Sequence, residues 1–306
     1  MSARITTSLE ELVRLSADAR GFSLLPRQPV SSLLAGRYTS RLRGRGLAFE
    51  ELRHYSPGDD VRTIDWKATA RLRAPHVRVY NEERERPVLL VVDQRSPMFF
   101  GSRRTMKSVA ATELAALGAW RALASGDRVG GIVFNERETI QIRPHRSRTR
   151  VLQFFHELVR FNELLASDQQ AKGEMTLNSA LESALKMITH DYLVVIITDM
   201  DGADTETQRL ISLLAAHNDV LMVAVYDPLG ASLFGSPGMV AVDRGESWEI
   251  PQGESFQQSF REEFQQRLDE WVEICRSLRV PVFPLSTWKP VIQQVRSLFG
   301  PWSSIP

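Results

Sequence analysis

The chain has one cysteine, Cys275, in 306 residues, which excludes a disulfide framework and a cysteine-based zinc site. Long apolar runs are missing: the longest, Val88 to Val92 and Tyr192 to Ile197, fall far short of the ~20 residues a membrane helix needs. Near the start, Glu10 and Glu11 stand where a secretory leader requires apolar residues. An excess of charge is missing too, with 38 Lys+Arg against 37 Asp+Glu and a net charge of +1. No overall field draws polyanions, so nucleic-acid or membrane binding would have to rest on a local patch. There is no internal repeat or low-complexity tract, which removes the disordered and fibrous classes. The expectation is a soluble, cytoplasmic protein of one large domain or two moderate ones, at ~100–200 residues each.

What the chain does have is a regular alternation from Pro87 onward. Pro87 to Asp93 is a continuous Leu and β-branched run of the length of a strand buried on both faces. Met106, Val109, Ala110, Leu114, Leu117 and Leu123 then recur at helical spacing, and Gly126-Asp127 ends that helix. Arg128 to Phe134 and Glu138 to Pro144 read as strands joined by a tight link at Asn135-Glu136-Arg137. Helices follow at Arg148 to Leu165 and Thr176 to Ile188, then a buried strand at Tyr192 to Thr198, a helix at Thr205 to Ala216 and a strand at Asp219 to Tyr226. Beyond Gly235 to Gly238 come two short strands, a long helix carrying Phe256, Phe260, Phe264, Leu268 and Cys275, a last strand around Val280 to Leu285, and a helix ending at Gly300.

Apolar strands separated by helices mean a parallel sheet. The predicted fold is a three-layer α/β sandwich with a mostly parallel central sheet over residues 87–306. Residues 1–86 form an accessory segment, expected to be β-rich and to pack on it.

In such a sheet, ligands bind beyond the carboxyl ends of the strands. Asp93 and Asp199 each end a buried strand, Asp201 follows two residues on, and Thr176 opens the helix leading into the second strand. Converging carboxylates and a hydroxyl could hold a hard divalent cation; the same residues also serve as helix caps.

The segment from Gly44 to Asp93 carries a combination that resembles the bacterial domain-of-unknown-function 58 family. Its most specific part is Pro57-Gly58-Asp59-Asp60 followed by Arg62, Ile64-Asp65-Trp66 and Ala70-Arg71, and the likeness continues through Met98, Lys107, Gly126 to Glu136 and Val195 to Gly202. The resemblance implies a von Willebrand factor A-like fold, whose metal-ion site (MIDAS) uses Asp-x-Ser-x-Ser, a Thr and an Asp. Asp93, Thr176 and Asp199 match that set, but Arg95 and Pro97 stand where the two serines belong. Neither side chain can coordinate a cation, so the site reads as degenerate. No cofactor is expected, with Mg²⁺ or Mn²⁺ the candidate ions. Arg95 either lays its own charge where the metal would sit, pairing with Asp93 or Asp199, or points into solvent. Arg95, Ser96 and Asp201 are candidate interaction-surface residues.

Two further clusters invite chemistry. Arg27, Arg37, Arg41, Arg43 and Arg45 crowd one stretch with interleaved glycines and no acidic residue, and Arg41, Arg43 and Arg45 could bind anions, nucleic acid included. Only Tyr38 and Phe49 stand nearby for stacking, and the acidic groups that follow offset the charge. Asp59, Asp60 and Asp65, with Glu82, Glu83 and Glu85, could hold metals for phosphodiester hydrolysis, although turn capping and ion pairing explain the same residues.

Other motifs fail. Gly101 to Ser108 approaches a phosphate-binding loop, but Met106 replaces the second glycine. Asp199-Met200-Asp201-Gly202 lacks the later ligands of a calcium loop. The six histidines are scattered with no catalytic local context, and no nucleophile elbow occurs. The residues therefore favour a non-enzymatic interaction module. The family resemblance implies an AAA+ ATPase of the MoxR type as partner, and an adaptor role toward a client protein. A nucleic-acid binder and a metal-dependent hydrolase are the alternatives.

Overall fold

The structure, a computed structural model, describes residues 3–19, 47–57, 59–82, 86–167, 175–199, 201–231, 240–243, 246–249 and 253–299. In chain order the elements are α1 (Leu9–Arg14), β1 (Leu47–His54), α2 (Trp66–Leu72), β2 (His76–Glu82), β3 (Val88–Asp93), α3 (Lys107–Ala124), β4 (Val129–Phe134), β5 (Thr139–His145), α4 (Arg148–Ala166) and α5 (Leu177–Met187). They continue with β6 (Leu193–Thr198), α6 (Thr205–His217), β7 (Asp219–Tyr226), α7 (Pro228–Ala231), β8 (Val240–Asp243), β9 (Glu246–Glu249), α8 (Glu254–Ser277), β10 (Val282–Ser286) and α9 (Val291–Phe299). The chain divides into two compact units, one of Met1–Arg37 with Arg86–Pro306 and one of Tyr38–Glu85.

The larger unit is built on a six-stranded sheet of order β10-β7-β6-β3-β4-β5. All pairings are parallel except β4 with β5. Counted along the chain within the sheet, this is the doubly wound order 3-2-1-4-5-6 with one antiparallel edge strand, and its switch point lies between β3 and β6. The antiparallel edge follows from the short Asn135 to Glu138 link, which allows only a hairpin; Asn135 Oδ1 accepts from the N–H groups of Arg137 at 2.9 Å and Glu138 at 3.0 Å.

Strand alternation sends Val88, Leu90 and Val92 to one face and Leu89 and Val91 to the other, and all are buried. The first face packs under α1, α3, α4 and α9 with Phe154, Phe155 and Phe161. The second packs under α5, α6 and the C-terminal part of α8, where Trp271 and Cys275 are buried. Two helical layers on one sheet make the predicted three-layer sandwich. The side chains of Phe256, Phe260, Phe264 and Leu268, proposed for the apolar face of α8, lie outside the described set. Gly131 in β4 is a packing requirement, because a Cβ there would collide with the Phe154 ring of α4.

Residues 3–19 belong with this unit, which differs from a single 1–86 accessory segment. The apolar face of α1 explains the difference: Leu12 is fully buried in the core, and its carbonyl accepts from Trp120 Nε1 at 2.9 Å. Arg4 bridges to Thr105 in parallel and pairs with Glu113 of α3.

The smaller unit holds the β-rich element, an antiparallel β1–β2 hairpin with a bulge between Phe49 and Glu51, connected through a 3-10 turn (Val61–Thr63) and α2. His76 and Val77 are its buried residues among those described. β8 and β9 form a separate antiparallel pair.

Candidate functional site at the carboxyl edge of the sheet

Asp93 and Asp199 flank the switch point. Pairing of Val92 with Ile197 in parallel register brings the ends of β3 and β6 level, so Thr198 Oγ1 donates to Asp93 Oδ2 at 2.7 Å. Arg95 folds back onto the same carboxylate. Its backbone N–H reaches Asp93 Oδ1 at 2.9 Å, Nε lies 3.0 and 3.1 Å from the two oxygens, and Nη2 is 2.7 Å from Oδ2. Nη2 also donates to the Asp201 carbonyl at 3.0 Å, and the guanidinium carbon stands 5.6 Å from the Phe134 ring centroid. Gly202, with φ of +70°, lets the 201–202 turn approach Nη1. Asp93 is fully buried and Arg95 only 8% exposed, so the solvent-pointing alternative for Arg95 does not hold.

Burial pushes the Asp93 carboxyl above the usual range, helped by the nearby Asp199 charge, and the hydrogen bonds and charge of Arg95 offset this only in part. Burial also pulls the Arg95 guanidinium down, but its bonds to Asp93 and the charges of Asp93, Asp199 and Asp201 hold it above its ordinary value. Asp199 has a cation of its own: Lys107 Nζ, at the first position of α3, is 2.6 Å from Oδ2, while Oδ1 accepts from the Asp201 N–H at 3.0 Å.

These residues do not fit a divalent cation. Both Asp93 oxygens are taken by Arg95, and the Asp199 oxygens by Lys107 and a backbone N–H. Thr176 caps α5, its exposed hydroxyl accepting from Ser179 N at 3.4 Å. Among the described residues, no group of three or more His, Cys, Asp or Glu is arranged to hold a metal ion. Of the candidate surface residues, Arg95 is turned inward, the Ser96 N–H donates to Glu136 Oε1 at 2.6 Å, and Asp201 is exposed.

Sequence reasoning named Lys107 only as part of the family likeness, without its pairing to Asp199, and missed a second polar cluster beside this edge. Asp227, just past β7 and 4% exposed, accepts from Ser102 N at 2.8 Å, Ser102 Oγ at 2.6 Å, Thr287 Oγ1 at 2.5 Å and Leu229 N at 2.8 Å. Trp288 Nε1 donates to Ser102 Oγ at 2.8 Å, and the Arg103 guanidinium stacks 3.8 Å from the Trp288 ring centroid. The Gly101 to Ser108 loop thus spends the Ser102 N–H on an internal carboxylate, where a phosphate-binding loop would present it to a ligand. An acidic residue ending a buried strand, the pattern that singled out Asp93 and Asp199, is the signal that would have found Asp227.

In the smaller unit, the signature carboxylates are spent locally. Asp59 takes both Arg53 guanidinium nitrogens, at 2.6 and 2.9 Å, and the Ser56 N–H; the Arg53 bonds lead in holding its carboxyl below the usual range. Asp60 caps the 3-10 turn through Arg62 N at 2.9 Å. Asp65 caps α2 through Lys67 N and Ala68 N, both at 3.0 Å. Asp59, Asp60 and Asp65 are thus engaged by Arg53 and backbone donors, and the side chains of Glu82, Glu83 and Glu85 lie outside the described residues. Arg62, Trp66 and Arg71 are exposed. Gly58, Arg27, Arg37, Arg41, Arg43 and Arg45 lie outside the described residues.

A family model described as "Protein of unknown function DUF58" matches residues 51–271. Uncharacterized proteins of Mycobacterium bovis and Mycobacterium tuberculosis are 30% identical to the chain over 224 residues, covering 72% of it and 68% of each relative. Among solved structures, the conserved hypothetical protein BatB from Bacteroides thetaiotaomicron aligns at 14% identity with a TM-score of 0.37, over 69% of this chain and 97% of that one. A von Willebrand factor type A structure from Catenulispora acidiphila aligns at 12% identity with a TM-score of 0.31, over 63% and 44%.

Proposed function

The chain belongs to the family described as Protein of unknown function DUF58, and from that premise we propose that it is a non-enzymatic interaction module. It acts in the cytoplasm as an adaptor, linking a MoxR-type AAA+ ATPase to a client protein during assembly or maturation. The observation that carries this reading is the pairing of Asp93 with Arg95 and of Asp199 with Lys107. Two internal cations hold the carboxyl edge in one arrangement, so the 93–101 and 199–204 loops present a fixed surface that needs no ion.

The neighbouring chemistry supports binding over catalysis. Asp227 already takes four donors, the hydroxyls of Ser102 and Thr287 among them. A carboxylate so saturated is a poor general base. No described helix is long and apolar enough to cross a membrane.

The test is direct binding between the purified chain and the MoxR-type ATPase encoded in the same genome, with ATP, with ADP and without nucleotide. The expected result is a stoichiometric, nucleotide-sensitive complex that Asp201→Arg weakens by about tenfold or more. A complex indifferent to nucleotide and to Asp201→Arg, or no complex, overturns the proposal.

A further inference from the structure

The smaller unit sorts its signature residues into two sets. The carboxylates Asp59, Asp60 and Asp65 turn toward Arg53 and the backbone, where they build the turns. The cations are left over: Arg62, Lys67, Arg71 and Arg73 are exposed, and none of their side chains has a hydrogen-bond or ion-pair partner among the described residues. Among the described side chains, four exposed cations are thus left without a partner, while the carboxylates of the same stretch are engaged in its turns.

Helix geometry gathers these groups. At 100° per residue, Trp66, Ala70, Lys67 and Arg71 follow one another around a single side of α2, and all four are exposed. The opposite side is fixed inward by Thr69, whose Oγ1 accepts from His76 N at 3.1 Å. Trp66 is 70% exposed, with Val61 at 60% in the preceding 3-10 turn and Leu72 at 52% at the end of α2. An indole left so far in water is costly to keep unless something covers it. Arg73 points the same way: it ends α2 at φ of +57°, a left-handed position where glycine is the cheaper residue.

We propose that Arg62, Trp66, Lys67 and Arg71 form a docking surface for an acidic, amphipathic protein segment. Trp and Arg are the residue types that dominate protein interface energetics. The exposed indole of Trp66 among these cations suits a segment with Leu-type anchors between its carboxylates. A single exposed indole suits nucleic acid less, since strand binding needs successive stacking platforms along a basic groove.

The experiment uses the full chain and a fluorescent synthetic helix of Glu and Leu, read by anisotropy at low and physiological salt. A matched helix with Lys in place of Glu, oligothymidylate and vesicles of phosphatidylserine serve as competing probes. The acidic helix is expected to bind the unmodified chain. Trp66→Ala and the charge reversal Arg62→Glu/Arg71→Glu should each weaken it by about tenfold or more, whereas Arg14→Glu, a charge reversal on α1, should not. Far-UV circular dichroism and thermal melts accompany each variant, and substitution of so exposed an indole is expected to leave the melting temperature in place. Equal affinity in the variants, binding of the Lys helix, or tighter binding of the oligonucleotide or the vesicles overturns the proposal.

Discussion

Arg95→Met removes one member of a buried ion pair while keeping most of the side-chain volume, and it isolates what the guanidinium does. Asp93 would keep Thr198 Oγ1 and the Arg95 backbone N–H as donors but lose three contacts to a full charge. Breaking a buried pair from one side costs about 3–5 kcal/mol, because an uncompensated charge remains. In a unit of this size each kcal/mol moves the melting temperature by about 2–4 °C, so a fall of about 6–20 °C is expected at pH 8.

The pH dependence is the sharper readout. Asp93 already stands above its unfolded value because of burial, so the native state keeps its proton longer than the unfolded chain does. The carboxylate's cost to stability is absent below the unfolded value, grows as pH rises and is complete above the folded value. Without Arg95 the folded value rises further, so the deficit of Arg95→Met should be small in acid and open as pH increases through that window. Melts followed by circular dichroism at pH 5 and pH 8 measure it, and Asp93→Asn/Arg95→Met should recover at least half of the loss. A deficit below about 1 kcal/mol, the range of surface ion pairs, or one equal at both pH values would refute the reasoning.

Two more outcomes follow from the same edge. Mg²⁺ and Mn²⁺ should leave the melting temperature of the unmodified chain unchanged, and tight binding by calorimetry that disappears in Asp199→Ala would contradict a cation-filled site. Asp227→Ala strands two hydroxyls and two N–H groups in a buried setting and should cost about 3 kcal/mol. Amide exchange at residues 101–106 should quicken in that variant; unchanged protection there would show that Asp227 does not hold the loop.

The apolar sandwich was legible because its information is local. Val88 to Val92 and Tyr192 to Ile197 can only be strands covered on both sides, and the links between them are long enough only for crossover helices. The antiparallel β5 was visible as a strand, and its direction follows from its short link. What stayed hidden depends on distant pairings. Lys107 meets Asp199 across 92 residues and Ser102 meets Asp227 across 125, and no spacing rule connects them. The placement of α1 under the sheet was hidden for the same reason, since Leu12 and Val13 give it an apolar face without saying which unit covers that face. In the smaller unit Arg62 and Arg71 were legible as signature residues beside the acidic triplet, but only the fold shows that the turns use up the carboxylates and leave these guanidinium groups outside.

The departures at Arg95 and Pro97 from the serine pattern act as one local device. Pro97 sits at the second position of the 3-10 turn Ser96–Met98, where its fixed φ suits the turn and its missing N–H is not needed. Met98, fully buried, anchors that turn in the core, and its N–H donates to the Arg95 carbonyl at 2.8 Å. With its carbonyl held there and its N–H on Asp93 Oδ1, the Arg95 backbone is fixed at both ends, and the shortest path for its side chain returns to the same carboxylate. Restoring serine at Arg95 alone would remove the charge yet leave the proline-set turn, so a metal site should need both Arg95→Ser and Pro97→Ser. A single Arg95→Ser that bound Mn²⁺ tightly would show that the turn has no part in excluding the ion.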